Sequence, residues 1–308
     1  MSANTPPLQR RLTFYSWESL DDDQPFDPIV AGTTLEALPD IPGRSVPAGD
    51  FEVDAFAWPA FSVPAASAAQ VMRYRDFNSR PYVRAPGAAP HPVTMQPSEF
   101  ILDVSHCVLW PDHFAAFDQG GHSPTPAAYA TFARERLNQL VIFRPLFDKS
   151  AIDRLKDLRG LKRVQFRMRN SQVTQGQVNA QQGPLRGLFS ELFGWQGEVV
   201  VSADISVSSR GQGARDRVLD GVTPEDVQRA VDRADRMFDS FVVSGIRRDG
   251  RVEKVDLFHS RLAVDASLPR ATAGGYFPGS QTAFDALVRA RTELESNGRL
   301  ETAVVAWN

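Results

Sequence analysis

The side chains best able to do chemistry here are the guanidinium and ammonium groups of one basic stretch, residues 153–170. It has two acidic residues and seven basic ones: Arg154, Lys156, Arg159, Lys162, Arg163, Arg167 and Arg169. In its second half, Val164, Phe166 and Met168 alternate with polar residues, which is the pattern of a half-buried strand. The pattern predicts an apolar face for a core and a basic face able to contact a phosphate backbone.

A second basic cluster lies at the tip of a predicted hairpin. Segments 240–246 and 252–258 have strand composition, and Asp249-Gly250 between them is typical of a tight turn. From both clusters we predict seven DNA-binding residues: Arg163, Arg167, Arg169, Arg247, Arg248, Arg251 and Lys254. The alternative interpretations are a solvated strand face and a solvated turn.

Other reactive side chains gather within 17 residues: His106, Cys107, Asp112, His113 and His122. Their spacing matches no usual pair of zinc ligands, and Cys107 lies in an apolar run typical of packing rather than nucleophilic catalysis. No phosphate-binding loop or nucleophile elbow motif is found. We therefore expect no catalytic residues, no metal and no cofactor. An enzyme that uses Cys107 or the nearby histidines is the weaker alternative.

The charge balance limits how this chain can bind nucleic acid. Its 308 residues include 34 basic and 37 acidic side chains, a formal net charge of -3, so binding requires a local basic patch. Segment 21–54 has nine acidic residues and one basic residue. The single cysteine excludes an intrachain disulfide. With no apolar run typical of a signal peptide or membrane span, we expect a cytoplasmic protein.

The elements that must position these residues mix without a regular βαβ period, which favours an α+β fold of mixed sheets with flanking helices in two domains. Strands are predicted at 12–17, 51–56, 100–110, 114–117, 141–143, 163–169, 198–207 and 300–307, besides the hairpin. The apolar run at 100–110 is predicted to be buried, as two strands joined by a turn or as one bent strand. Helices are predicted at 64–74, 127–139, 151–158, 184–194, 223–238 and 284–295, and the acidic segment as loop. The domain ranges are 1–140 with an acidic proline-rich loop, 141–265 with the basic strand and hairpin, and 266–308 packing back on the first.

The order of segments across residues 100–260 resembles the RexA-like phage exclusion proteins of abortive-infection systems. A strand (FAAF), a turn (GGHSPTP) and a helix are followed by a strand ending in Arg144-Pro145-Leu146, a helix and the basic strand. The amphipathic segment GPLRGLFSELFG then leads into residues 199–207. The resemblance implies an α+β homodimer that binds double-stranded DNA with little sequence preference. It also implies a membrane ion-channel partner of the RexB-like type, and it supplies no catalytic residues.

Two functional hypotheses follow. The first is a cytoplasmic, non-catalytic DNA-binding protein of anti-phage defence. Six phosphate contacts, from the six arginines among the seven predicted residues, would give a log–log salt slope of about -5. The second is an assembly module. Its acidic N-terminal segment and its basic central stretch would form complementary surfaces for self-association or for a protein partner.

Overall fold

The computed structural model describes most of the chain. The described residues are 6–21, 23, 25–39, 44–48, 51–58, 66–74, 82–83, 91–92, 102–120, 123–169, 200–207, 217–232, 238–257, 259–271 and 278–305. The helix predicted at 184–194 lies outside them.

Strands and helices are both abundant, which confirms the α+β class. The strands are β1 (Leu8–Ser19), β2 (Val46–Pro47), β3 (Glu52–Ala57), β4 (Ser67–Tyr74), β5 (Tyr82–Val83), β6 (His91–Pro92), β7 (Leu102–Leu109), β8 (Phe114–Gln119), β9 (Val141–Phe147), β10 (Leu158–Arg169), β11 (Val200–Ser206), β12 (Phe238–Arg247), β13 (Val252–Asp256), β14 (Ala263–Leu268) and β15 (Val304–Val305). The helices are α1 (Pro28–Ala37), α2 (Pro126–Phe132), α3 (Lys149–Lys156), α4 (Pro224–Asp232) and α5 (Ser280–Ser296), and α2 continues into a π-helical turn at Ala133–Leu137. Within the described residues, no helix is both long and apolar enough to span a lipid bilayer.

Contacts divide the chain into two compact units. Unit 1 comprises Met1–Thr13, Trp17–Phe143 and Val264–Arg291, and unit 2 comprises Phe14–Ser16, Arg144–Ala263 and Thr292–Asn308. The predicted domains at 1–140, 141–265 and 266–308 stay a prediction.

Unit 1 contains a sheet in the strand order β1-β8-β7-β4-β3-β2, with β14 paired to β1. Strand β7 is buried along nearly its whole length, which confirms the buried strand predicted there. Consecutive residues of β7 are buried, so side chains on both of its faces are shielded from solvent. Its polar residues, including Ser105 and His106, are buried with it.

Two local predictions in unit 1 were wrong. The Ala-rich segment predicted as a helix at 64–74 forms β4, which pairs with β3 on one side and β7 on the other. Strand pairing on both edges outweighs the helix preference of alanine. The acidic segment predicted as loop contains α1, where Asp27 caps Ile29 and Val30 and Pro28 takes the first helical position.

Unit 2 is organised around β10, in a four-stranded antiparallel sheet of order β11-β10-β12-β13. Val164 and Phe166 of β10 face the core, and Phe166 stacks on Phe241 of β12 with ring centroids 5.9 Å apart. The apolar sides of α3 and α4 complete this core through Ile152 and Val227. The opposite face of the sheet is left for the polar residues of the same strands.

A buried ion pair ties the start of β3 to the preceding loop in unit 1. Arg44 Nε donates to Asp54 Oδ1 at 2.9 Å, and both side chains are almost fully buried. The guanidinium also lies 4.0 Å from the ring centroid of Phe56. Burial raises the pKa of the Asp54 carboxyl, and the Arg44 charge opposes that rise.

Replacing Arg44 with methionine should lower the free energy of unfolding at pH 7 by about 3 kcal/mol, because it leaves a buried carboxylate without its counter-ion. The folded state then binds a proton more readily than the unfolded state. The destabilisation should therefore shrink as the pH falls through the raised pKa of Asp54. Urea unfolding of wild type and Arg44→Met between pH 5 and 8 measures both effects.

The double variant Arg44→Met, Asp54→Asn is the control, and its unfolding free energy relative to wild type should not show this pH dependence. A pH-independent loss in Arg44→Met alone would contradict the account.

Candidate nucleic-acid interface

Strand β10 presents the predicted basic face of the sheet. Arg163 and Arg167 are exposed, whereas Val164 and Phe166 are buried in the core of unit 2. The predicted alternation is confirmed over this part of the strand. Arg169 ends β10, and its side chain lies outside the described residues.

The register of the sheet surrounds these arginines with serines. Arg163 pairs with Ser206 on β11 and Ser244 on β12, and Arg167 pairs with Ser202 and Ser240. Directly paired residues in an antiparallel sheet project from the same face. The hydroxyls and the two guanidinium groups therefore share one surface, and both groups are common donors to DNA phosphates.

The neighbouring strand also supplies a carboxylate that neutralises Arg163. Arg163 Nε donates to Asp204 Oδ1 at 2.8 Å, and its Nη2 donates to Asp204 Oδ2. Gln165 donates to the same carboxylate at 3.2 Å. Hydrogen bonding from Arg163 lowers the pKa of Asp204, and hydrogen bonding to Asp204 raises the pKa of Arg163. A phosphate must compete with Asp204 for this guanidinium.

The predicted hairpin is present, formed by β12 and β13. Gly250 lies in its turn with a φ of 84°, a conformation that glycine adopts without steric cost. Arg248 and Arg251 are exposed at the turn. Lys254 is exposed on β13 opposite Ser244, which places it on the same sheet face as Arg163.

Arg247, at the base of the same turn, is held by two carboxylates of unit 2. Its Nε donates to Asp157 Oδ2 at 2.7 Å and lies 3.4 Å from Glu253 Oε2. The hydrogen bond to Asp157 is the main cause of the raised pKa of Arg247. This arginine therefore fixes the hairpin to the end of α3 and contributes little positive charge to the surface.

An open cleft of about 410 Å³ lies at the start of β10. Three cationic side chains line it: Lys156 from the end of α3, Arg159 from β10 and Arg248 from the hairpin. The Arg248 N–H donates to the Asp157 carbonyl at 3.2 Å, which brings the hairpin turn beside α3. Leu158 and apolar residues before α4 form the rest of the wall.

The start of α4 also borders the cleft, but its positive end is already compensated. Thr223 Oγ1 accepts from the Asp226 N–H, and Asp226 Oδ2 accepts from the Thr223 N–H. Glu225 is a second acid in this first turn. Since carboxylates near a helix N-terminus offset its dipole, the attraction for an anion comes from the three cationic side chains.

The structure therefore separates the predicted DNA-binding residues into two groups. It brings Arg163, Arg167 and Lys254 together on the sheet face and places Arg248 and Arg251 at the hairpin turn. Lys156 and Arg159 were not among the predicted contacts, although both belong to the basic stretch. Their charge was visible in the sequence, whereas the approach of the hairpin to α3 was not.

The other reactive side chains do not form a metal site within the part of the chain that the structure describes. Cys107 is fully buried in β7, and burial raises the pKa of its thiol, which disfavours the nucleophilic thiolate. Asp112 forms an ion pair with Arg291. His113 stacks near Trp17, with ring centroids 4.4 Å apart, and His122 lies outside the described residues.

Comparison with known proteins assigns no family to this chain: no protein-family model matches it, and a search of curated proteins returns no similar sequence. The resemblance to RexA-like proteins stays a prediction.

Replacing Asp204 with asparagine should release Arg163 for a phosphate contact. Each such contact adds about 0.9 to the magnitude of the log–log salt slope, so the slope for random duplex DNA should steepen by about one. Fluorescence anisotropy across a salt series measures the slope.

The matched control is Asp265→Asn, which changes the formal charge equally at an exposed position on β14 in unit 1. Its slope should equal that of wild type. Identical slopes in both variants would show that Arg163 takes no part in binding.

Proposed function

We propose that this chain binds double-stranded DNA through the phosphate backbone, with little sequence preference, and that unit 2 makes the contacts. The observation that supports this most strongly is the cleft lined by Lys156, Arg159 and Arg248. The serine-flanked face with Arg167 and Lys254 extends the surface. No catalytic step is needed for such binding.

The chemistry of the cleft suits a polyanion better than a small neutral ligand. Three basic residues from three different elements line one opening. The acidic Glu225 also lines it, so basic residues are in excess and suit a chain of phosphates. Backbone contacts of this kind position a protein on DNA without reading its sequence. The net charge of -3 means that attraction depends on this local patch, because the chain as a whole repels DNA.

The wider role belongs to the same proposal and rests on the resemblance to RexA-like proteins. It comprises phage exclusion from the cytoplasm, a homodimer and a membrane ion-channel partner. DNA binding by unit 2 can be tested without any of these.

The rival hypothesis of an assembly module depends on a free acidic surface between residues 21 and 54. Two of the acidic side chains in this segment have structural roles, since Asp27 caps α1 and Asp54 is buried against Arg44. Heparin retention without a shift of duplex DNA, together with oligomers that dissociate at high salt, would favour the rival.

Replacing Lys156, Arg159 and Arg248 together with alanine should remove three phosphate contacts. The log–log salt slope for random duplex DNA should then fall in magnitude by about 2.7, at 0.9 per contact. The loss should be equal for duplexes of unrelated sequence. Binding isotherms from 50 to 200 mM salt on two such duplexes measure both quantities.

The control removes the same number of exposed positive charges elsewhere, by replacing Arg134, Arg289 and Arg299 with alanine. Its slope should remain that of wild type. If both triple variants lose the same slope, binding follows net charge and the cleft has no special role. A wild-type chain that does not bind duplex DNA at 50 mM salt would rule out the proposed function.

A further inference from the structure

Three polar side chains in unit 1 form a linear hydrogen-bonded series. His106 of β7 lies between Asp118 of β8 and Ser280, the first residue of α5. His106 Nδ1 is 3.0 Å from Asp118 Oδ2, and His106 Nε2 is 3.1 Å from Ser280 Oγ. His106 and Asp118 are almost completely buried, whereas Ser280 is partly exposed.

The partners of this series fix the direction of its hydrogen bonds. The Asp118 carboxylate can only accept, so the Nδ1 that faces it carries the proton of the neutral ring. The other nitrogen, Nε2, is then the acceptor that faces Ser280. Gln70 Nε2 donates to Ser280 Oγ and lies 3.5 Å from His106 Nε2. The Ser280 hydroxyl is the nearer donor to that nitrogen, at 3.1 Å.

Asp118 is itself held in place, because its Oδ1 accepts the backbone N–H of His106. One carboxylate thus binds both the main chain and the ring of the same residue. This fixes the tautomer and the orientation of the imidazole.

We propose that Ser280 and His106 are the catalytic residues of an esterase site, with Asp118 as the positioning residue. The arrangement has the roles of a serine–histidine–aspartate triad, which is recognised by geometry and not by sequence order. The proposal is independent of DNA binding by unit 2. It departs from the expectation of a protein without catalytic residues.

The reaction would proceed in two balanced steps. In the first, Ser280 Oγ attacks the ester carbonyl carbon, its proton passes to His106 Nε2, and the bond to the alcohol oxygen breaks as the alcohol takes that proton. In the second, water attacks the acyl group, gives a proton to Nε2, and releases the acid as Ser280 Oγ recovers its hydrogen.

The surroundings of Ser280 supply groups for the transition state and the substrate. The N–H groups of Gln281 and Thr282 lie in the first turn of α5, where backbone donors have no acceptor within the helix. Such donors can stabilise a developing oxyanion. Trp58 donates to Gln281 Oε1 and packs 5.6 Å from the Phe284 ring, which provides an apolar wall beside this turn. The substrate class is therefore a carboxylic ester with an apolar acyl group.

The direct test is covalent labelling of the full chain with a fluorophosphonate, which loses fluoride as it bonds to an activated serine oxygen. Tandem mass spectrometry of the wild-type protein should place the adduct on Ser280. Ser280→Ala should abolish it and reduce hydrolysis of p-nitrophenyl butyrate to the buffer rate. Ser296→Ala, at the other end of α5, should behave as wild type.

Asp118→Asn tests the positioning role and should slow labelling of Ser280 at least tenfold. An unfolding temperature close to that of wild type would show that this variant keeps the fold. A folded wild-type chain that forms no adduct at Ser280 would overturn the proposal. In that case the three side chains serve only to fix α5 to the sheet. Labelling of the wild-type chain decides between these two roles even where a variant fails to fold. DNA binding is measured in a separate experiment, so either proposal can fail without the other.

Discussion

The antiparallel pairing of β10 with β11 and β12 is the constraint on which the candidate interface depends. Pairing on both edges, together with an alternating sequence, forces Val164 and Phe166 into the core and the flanking Arg163 and Arg167 onto the surface. A shift of one residue would exchange the two faces. The same register sets Asp204 and the serines against the basic side chains, so it determines that Arg163 is neutralised within the sheet.

Carboxylates of unit 2 neutralise part of the positive charge on its own surface. Arg163 and Arg247 each hydrogen-bond to a carboxylate of the same unit, and Lys156, Arg159 and Arg248 line an open cleft. Counting basic residues in the sequence therefore overestimates the positive charge that this surface offers to an anion. Position in the sheet and the identity of each neighbour decide what a guanidinium can contribute.

Short-range patterns predicted much of this structure. The alternation of β10, the Asp249-Gly250 turn and the buried β7 follow from a few adjacent residues, and all three are confirmed. The helix predicted at 64–74 was wrong because alanine carries a helical preference that pairing with two neighbouring strands outweighs. In the case of α1, the Asp27-Pro28 start signal was present but was obscured by the surrounding acidic composition.

Both candidate sites depend on contacts that no local pattern contains. Arg163 and Asp204 are 41 positions apart, and His106 and Ser280 are 174 apart. His106 was recognisable from the sequence as a reactive residue, whereas Asp118 and Ser280 were not, because neither lies in a recognised motif. The chemistry of a serine or an aspartate becomes visible only when the fold supplies its neighbour.

The central claim, that DNA lies against the cleft of unit 2, is tested most directly by lysine acetylation with and without duplex DNA. The chain has four lysines, Lys149, Lys156, Lys162 and Lys254, so each can be followed by mass spectrometry. The account predicts that DNA protects Lys156 while Lys149, which pairs with Asp153 on the exposed side of α3, reacts as before. Equal acetylation of Lys156 in the presence and absence of bound DNA would contradict it.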